Sequence, residues 1–401
     1  MSLAGQSANG TGPRDLRAHF THFLRSDPRR LHFAAHSHHC WPDVTREAQL
    51  AAWDDAARLI DDKWSEVLGP VWSEVSAGIA RHLHLCDPTT LVSAGNTHEF
   101  LLRLLSACPP DRPVRILSTD GEFHSFRRQI ARLAEDGLVE HTAIAPEPFE
   151  TLGDRLIAAA KSGDFDLAFV SQVLFGSGFA LLDLVGLVDG LSAPGRLVVI
   201  DGYHGYLARP TDLSAVADRA FYVAGGYKYA MAGEGACFMH CPPGFAPRPR
   251  NTGWYAGFSA LSAAPGTVAY AEDGSRFMGA TFDPSGLYRM RASLRWLDEQ
   301  SLDAAAVHAH SVALQERFAA GLEKQRVGPL SPDRLVVPIA EEARGNFLTF
   351  EHPDAQGWYR RLHEAGIVTD VRGMRLRVGF GLYHAAEDVD ALLARLRECA
   401  P

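Results

Sequence analysis

No apolar run in this sequence is long enough to span a bilayer, which excludes a helical membrane protein. Basic residues are in deficit: the net charge is −9, whereas a general nucleic-acid binder needs a basic face for phosphates. The six cysteines (Cys40, Cys86, Cys108, Cys237, Cys241 and Cys399) form no CxxC pair, and several sit in apolar segments. Reduced, buried thiols in a cytoplasmic protein are therefore expected. There is no HExxH and no matching cysteine set, so His36, His38 and His39 lack the partners a zinc site requires, and no metal is expected. A nicotinamide-binding fold would want GxGxxG after its first strand. The sequence there is Ser93-Ala-Gly-Asn-Thr97 instead. Neither an internal repeat nor low complexity is present beyond the polar residues 1–14, which read as a disordered lead-in with no signal-peptide character.

What is present centres on Phe221 to His240, where a single lysine, Lys228, stands between two tyrosines behind paired glycines. A lysine in such an apolar setting is either a loop residue between two strands or an amine held desolvated for Schiff-base chemistry. Upstream, Leu197-Val-Val-Ile200 reads as a strand covered on both faces, and it ends on Asp201. Open α/β sheets bind ligands at such strand ends. An aspartate there and a Schiff-base lysine shortly after is the arrangement pyridoxal phosphate (PLP) requires, the carboxylate keeping the pyridine nitrogen protonated.

From about residue 90 to 240, strands, glycine or polar loops and helices alternate, which predicts an α/β fold with a mainly parallel sheet. Asn96 or Thr97 caps a helix whose free N–H groups suit a phosphate. Phe123 follows the next strand and is either a core aromatic or a platform for a cofactor ring. Trp64 lies near an interruption at Gly69-Pro70, where a core role is the simpler reading. The tail reads as a small α+β domain in which Arg375 and Arg377 share one strand face. One of them could hold a carboxylate bidentately. Four regions are expected: the lead-in, a segment 15–45 packing with the small domain, a large domain 46–284, and a small domain 285–401.

With these stretches in hand, the chain resembles the fold-type-I PLP enzymes of the class V aminotransferase group, kynureninases most closely, from about residue 30 onward. The resemblance implies a large domain with a mainly parallel seven-stranded sheet, a PLP cofactor and an amino-acid substrate. It also implies a homodimer with sites at the interface. By the same likeness, Lys228 carries the Schiff base and Asp201 meets the pyridine nitrogen within an Asp-x-x-His motif that ends at His204. Asn96, Thr97, Tyr227 and Trp254 serve the phosphate, and Thr281 reaches the neighbouring subunit's phosphate. Phe123 stacks on the ring, Trp64 lines the substrate's aromatic pocket, and Arg377 takes the carboxylate. His36-Ser37 stands where kynureninases carry Asn-Ser, which implies contact with the substrate. Two departures bear on the reaction. Phe123-His-Ser-Phe126 replaces Phe-Pro-Ser/Thr-Asp, and Leu174-Phe-Gly-Ser-Gly178 replaces Asn-Tyr-Lys-Thr-Gly, so Phe175 stands where a phenol would donate a proton. Residues 369–374 hold no cysteine of the kind a desulfurase uses. A kynureninase-like hydrolase is expected ahead of an aminotransferase, with a non-catalytic binding protein of the same fold a distant third.

Overall fold

The computed structural model describes residues 14–260, 266–325 and 327–399. All but Arg14 of the expected lead-in lies outside these residues.

A two-residue strand, β1 (Leu31–His32), precedes the main sheet. The sheet comprises β2 (Leu91–Ala94), β3 (Val114–Thr119), β4 (Val139–Ile144), β5 (Leu167–Ser171), β6 (Leu197–Asp201), β7 (Ala220–Gly225) and β8 (Cys237–His240). Their order is β2-β8-β7-β6-β5-β3-β4. The neighbouring pairs from β7 to β4 are parallel, and β8 alone runs antiparallel between β7 and β2. Helices Thr97–Ala107, His124–Glu135, Leu152–Ser162 and Leu184–Leu191 make the successive crossovers from β2 to β6. The expected seven-stranded, mainly parallel sheet is therefore present.

The central strands are apolar throughout because both their faces are covered. Val198, Ile200, Tyr222, Ala224 and Phe238 enter one core cluster, while Leu197, Val199, Phe221, Val223, Cys237 and Met239 enter the other. Alternate residues point to opposite faces, so an unbroken apolar run serves two cores at once. Their polar ends come together at one sheet edge, and the site lies there.

The small domain is built on β9 (Phe347–Glu351), β10 (Ile367–Val368), β11 (Asp370–Arg372) and β12 (Arg375–Gly379), with the antiparallel order β11-β12-β9. β1 pairs in parallel with β10, and Phe33 lies in the small-domain core with Phe318, Leu348, Phe350 and Leu376. Leu16, Phe20, Ala35 and Cys40 join the large core instead, so the N-terminal segment packs into both. Helix Ser285–Glu299 differs from expectation. Its Met290, Leu294, Trp296 and Leu297 lie in the large core, so a boundary at 285 would part the helix from most of its packing partners.

Candidate active site

Asp201 ends β6, in register with Ser171 of β5 and Val223 of β7. Its carboxylate accepts the N–H of Tyr203 at 2.9 Å, and burial pushes its pKa up to about 6. Gly202 follows directly, and a Cβ there would stand 1.9 Å from the Tyr222 ring, which explains the glycine.

Lys228 lies on the loop from β7 to β8, and it is only 6% exposed. The paired glycines before it permit close approach, since a Cβ on Gly225 would meet the Tyr203 hydroxyl at 2.3 Å. The Lys228 amine donates to the carbonyl of His36 at 3.0 Å and lies over the rings of Tyr227 (5.1 Å) and Tyr203 (5.5 Å). Burial, then the positive charge of Arg377, lowers its pKa to about 7. A loop lysine and a desolvated amine were alternatives in the sequence. The residue is both.

Arg377 comes from β12 and is 2% exposed. Its guanidinium is already engaged, donating to Asp370 and to the carbonyl of Phe175, while its Nε has no partner. Burial lowers its pKa to about 10. Arg375 shares the strand but pairs with Glu147 and Glu351 at its outer end. Of the two arginines, Arg377 alone reaches the Lys228 region, and Asp370 already occupies it there.

The three clustered histidines go three ways. His36 is buried beside Lys228 and stacked on Phe347. His38 is exposed, stacks on Tyr227 and approaches Glu234 at 3.7 Å. His39 is a structural acceptor: its Nε2 takes the N–H of Leu382 at 3.1 Å. Among the described residues no group of three His, Cys, Asp or Glu side chains is placed to hold a metal ion. Ser37 is half-buried, with its hydroxyl 3.4 Å from His38. His204 is buried at the edge of Phe347, and burial with the nearby Lys228 charge holds it neutral well below its usual range.

Asn96 caps the helix Thr97–Ala107 by accepting the Glu99 N–H at 3.0 Å. Thr97 opens that helix, at the end where backbone donors and the helix dipole favour an anion. Phe123 precedes helix His124–Glu135, sits edge-on to Phe175 at 5.5 Å, and is 39% exposed. Its free face is available to a planar ligand.

Trp64, Trp254 and Thr281 form one group. Tyr255 stacks on Trp254 at 4.1 Å and touches Trp64 at 5.7 Å, and Trp64 packs on Phe282, next to the exposed Thr281. No ring contact among the described residues joins this cluster to Lys228. The backbone beside Trp254 and Thr281 adjoins the helix that Asn96 caps: a Cβ on Gly279 would stand 2.3 Å from the Arg103 guanidinium.

Sequence reasoning gave no role to Glu122 or Asp370. Glu122 is fully buried and accepts from the hydroxyls of Thr119 and Ser171. Burial pushes its pKa up to about 7, and the charge of Asp201 adds to that. Asp120-Gly-Glu122 has the composition of a surface turn, so no local signal marks the glutamate as buried. For Asp370, alternation with Arg372 was the available hint.

The residues present suit a PLP group. They offer a neutralisable buried amine, a carboxylate at the adjacent strand end, a capped helix N-terminus for phosphate and an open aromatic face. The comparisons point to the same cofactor. Residues 307–396 match the kynureninase C-terminal domain family. A probable cysteine desulfurase of Vibrio cholerae is 29% identical over 222 residues, covering 53% of each protein. A kynureninase of Burkholderia mallei is 28% identical over 246 residues, covering 58% of this chain and 55% of that protein. The chain spans about half the length of the curated relatives it matches. Among solved structures, a cystine C–S lyase in complex with cysteine persulfide superposes with a TM-score of 0.79 at 17% identity, covering 94% of this chain and all of the other. A cysteine desulfurase of Thermococcus onnurineus gives 0.73 at 17% identity, covering 94% and 98%. The fold is thus that of the fold-type-I PLP-dependent proteins. Its C-terminal part, residues 307–396, is similar to the kynureninase C-terminal domain, and kynureninases are among its sequence relatives.

Proposed function

We propose that the chain is a kynureninase-like hydrolase that cleaves the Cβ–Cγ bond of an aromatic γ-keto amino acid, with PLP held on Lys228. The observation that carries this reading is the buried Lys228 amine, facing Asp201 from the next loop and Arg377 from the small domain. When bound, PLP supplies an electron-accepting ring conjugated to the substrate's α-carbon. Asp201 keeps the ring nitrogen protonated, Asn96 and Thr97 present the helix terminus to the phosphate, and Phe123 covers one ring face. Arg377 holds the substrate carboxylate. The amine of Lys228, neutral in an appreciable fraction near pH 7, takes the α-proton. Water then adds its oxygen to the γ-carbonyl carbon. The Cβ–Cγ bond breaks, the electron pair and a proton go to Cβ, and the products are alanine and an aromatic acid.

The C-terminal family match, which contains both Asp370 and Arg377, favours this reading over transamination. The cysteine desulfurase relatives do not extend to a cysteine mechanism here. Cys237, the thiol beside Tyr203, is buried, and burial raises its pKa to about 12. The likeness to kynureninases supports a homodimer in which Thr281, with Trp64, works across the interface into the partner's site. The test begins with absorbance spectra of the protein reconstituted with PLP, wild type and Lys228→Ala, in which the mutant loses the visible band. L-kynurenine and 3-hydroxykynurenine follow, with anthranilate-type fluorescence and alanine as readouts. Interconversion to a pyridoxamine spectrum that recovers with a keto acid, without alanine release, would make it an aminotransferase instead.

A further inference from the structure

His36 is fully buried, yet neither of its ring nitrogens has a hydrogen-bond partner. Buried polar side chains rarely go unsatisfied. The ring lies flat on Phe347, with centroids 4.4 Å apart and planes 20° apart, so packing holds it and no polar contact does. Its Nε2 stands 3.8 Å from Oδ2 of Asp370, beyond hydrogen-bond range. That same oxygen is the one Arg377 holds. The other, Oδ1, accepts from Arg372 at 2.6 Å and from the Val371 N–H at 2.7 Å. Asp370 therefore occupies on Arg377 the place a substrate carboxylate would take.

We propose that an incoming substrate carboxylate displaces Asp370 from Arg377, and that Asp370, still tethered by Arg372, re-pairs with His36, whose imidazole becomes charged and acts as the proton donor to the substrate. A movement of about 1 Å closes the gap to a charge-assisted hydrogen bond. The charge count supports the exchange. Facing His36 are Arg377 from β12, Arg372 and Asp370 from β11, Lys228 from the β7–β8 loop and His204 from the loop after β6. In the free site burial first, and then the surplus of cations around the ring, keep it neutral. Ligand binding brings in a second carboxylate and takes from Asp370 its closest cation. A proton on His36 restores the balance.

The donor role rests on the hydrolase reading. Phe175, the ring beside Arg377, has no proton to give, and His36 is a buried titratable ring with free nitrogens in that corner. As the Cβ–Cγ bond breaks, His36 delivers its proton to Cβ. The water that adds its oxygen to Cγ gives up a proton that restores the ring, so the sum is one water consumed.

The test uses the PLP-loaded enzyme and 3-benzoylpropionate, a γ-keto carboxylate with no amino group. Calorimetric titration at pH 7.5 in buffers of different ionisation heat reads the protons taken up on binding. Wild type takes up close to one proton, and ¹⁵N NMR shows the His36 ring passing from neutral to charged. His36→Asn still binds the probe and takes up none. Asp370→Asn also loses the uptake and binds more tightly, its internal competitor gone. Binding without uptake in wild type, undiminished uptake in His36→Asn, or no binding by enzyme with an intact visible band would each overturn the proposal. Proton uptake without kynurenine cleavage keeps the exchange and refutes the hydrolase reading. Cleavage without uptake does the reverse. If the exchange serves catalysis, kcat in His36→Asn falls about 10²-fold while KM changes little.

Discussion

The amine of Lys228 donates to the backbone carbonyl of His36, 192 positions earlier in the chain. The N-terminal segment thus covers the lysine that the β7–β8 loop delivers, and together they seal it from water. That burial is what makes the amine neutralisable, and it has a measurable cost in the cofactor-free protein.

The Lys228 pKa of about 7 lies below its ordinary value of 10.5. Between those values the unfolded chain binds a proton that the folded chain does not. This group therefore makes stability rise with pH from about 7 to 10.5, and the full penalty applies below 7. Lys228→Met removes it. The cofactor-free mutant should be more stable than wild type at pH 7 by on the order of 2–4 kcal/mol, and the gap should shrink towards pH 10. Urea unfolding at the two pH values checks this, and a constant gap would mean the amine is not desolvated.

Asp201 carries the opposite sign. Its pKa is raised to about 6 from 3.8, so the folded state binds its proton more tightly. The stabilisation is fully present below about pH 4 and is lost as pH rises through 6. Asp201→Asn should leave the cofactor-free protein as stable as wild type near pH 4 and more stable above pH 6. In the PLP-loaded enzyme the same change should lower turnover by on the order of 10²–10³, because the charge at the ring nitrogen is gone. A mutant that gains stability in acid but not at neutral pH would contradict the assignment.

Much of this site was legible because its parts are local patterns. The run Leu197-Val-Val-Ile200 ending on Asp201 must be a strand covered on both faces, and Asn96 ahead of an apolar helix is a cap wherever it occurs. The partners that modify those parts come from far along the chain. Nothing near Glu122 announces that Ser171 will bond it, and nothing near Arg377 announces Phe175; Asp370, directly opposite Arg377 in the β11–β12 hairpin, is the local exception. The three adjacent histidines look equivalent in sequence. They diverge because the backbone turns between β1 and the helix Val44–Leu59, placing one in the site, one at the surface and one under Leu382.

Gly202 tests how tightly the strand end is held. A Cβ there would overlap the Tyr222 ring, which is itself fixed by its hydroxyl on Gln172 at 2.9 Å. Gly202→Ala should cost about 1–3 kcal/mol of stability and weaken PLP binding at the same time. Loss of stability with unchanged PLP affinity would show that the strand end adapts without moving Asp201.

Phe123 separates a cofactor platform from a core aromatic. Its ring is 39% exposed and touches Phe175 only by an edge, so truncation forfeits little packing. A core phenylalanine cut to alanine costs about 3–5 kcal/mol, whereas an exposed one costs within about 0.5. A stacked aromatic contact contributes about 0.5–1.5 kcal/mol, equivalent to at most about tenfold in affinity. Phe123→Ala should therefore leave the unfolding midpoint of the cofactor-free protein nearly unchanged while raising the Kd for PLP several-fold, read from the visible band as cofactor is titrated. A large loss of stability would return Phe123 to the core. An unchanged Kd would place the cofactor ring against some other face, and the neighbouring His124, which meets Phe175 at 5.1 Å, would then be the residue to truncate next.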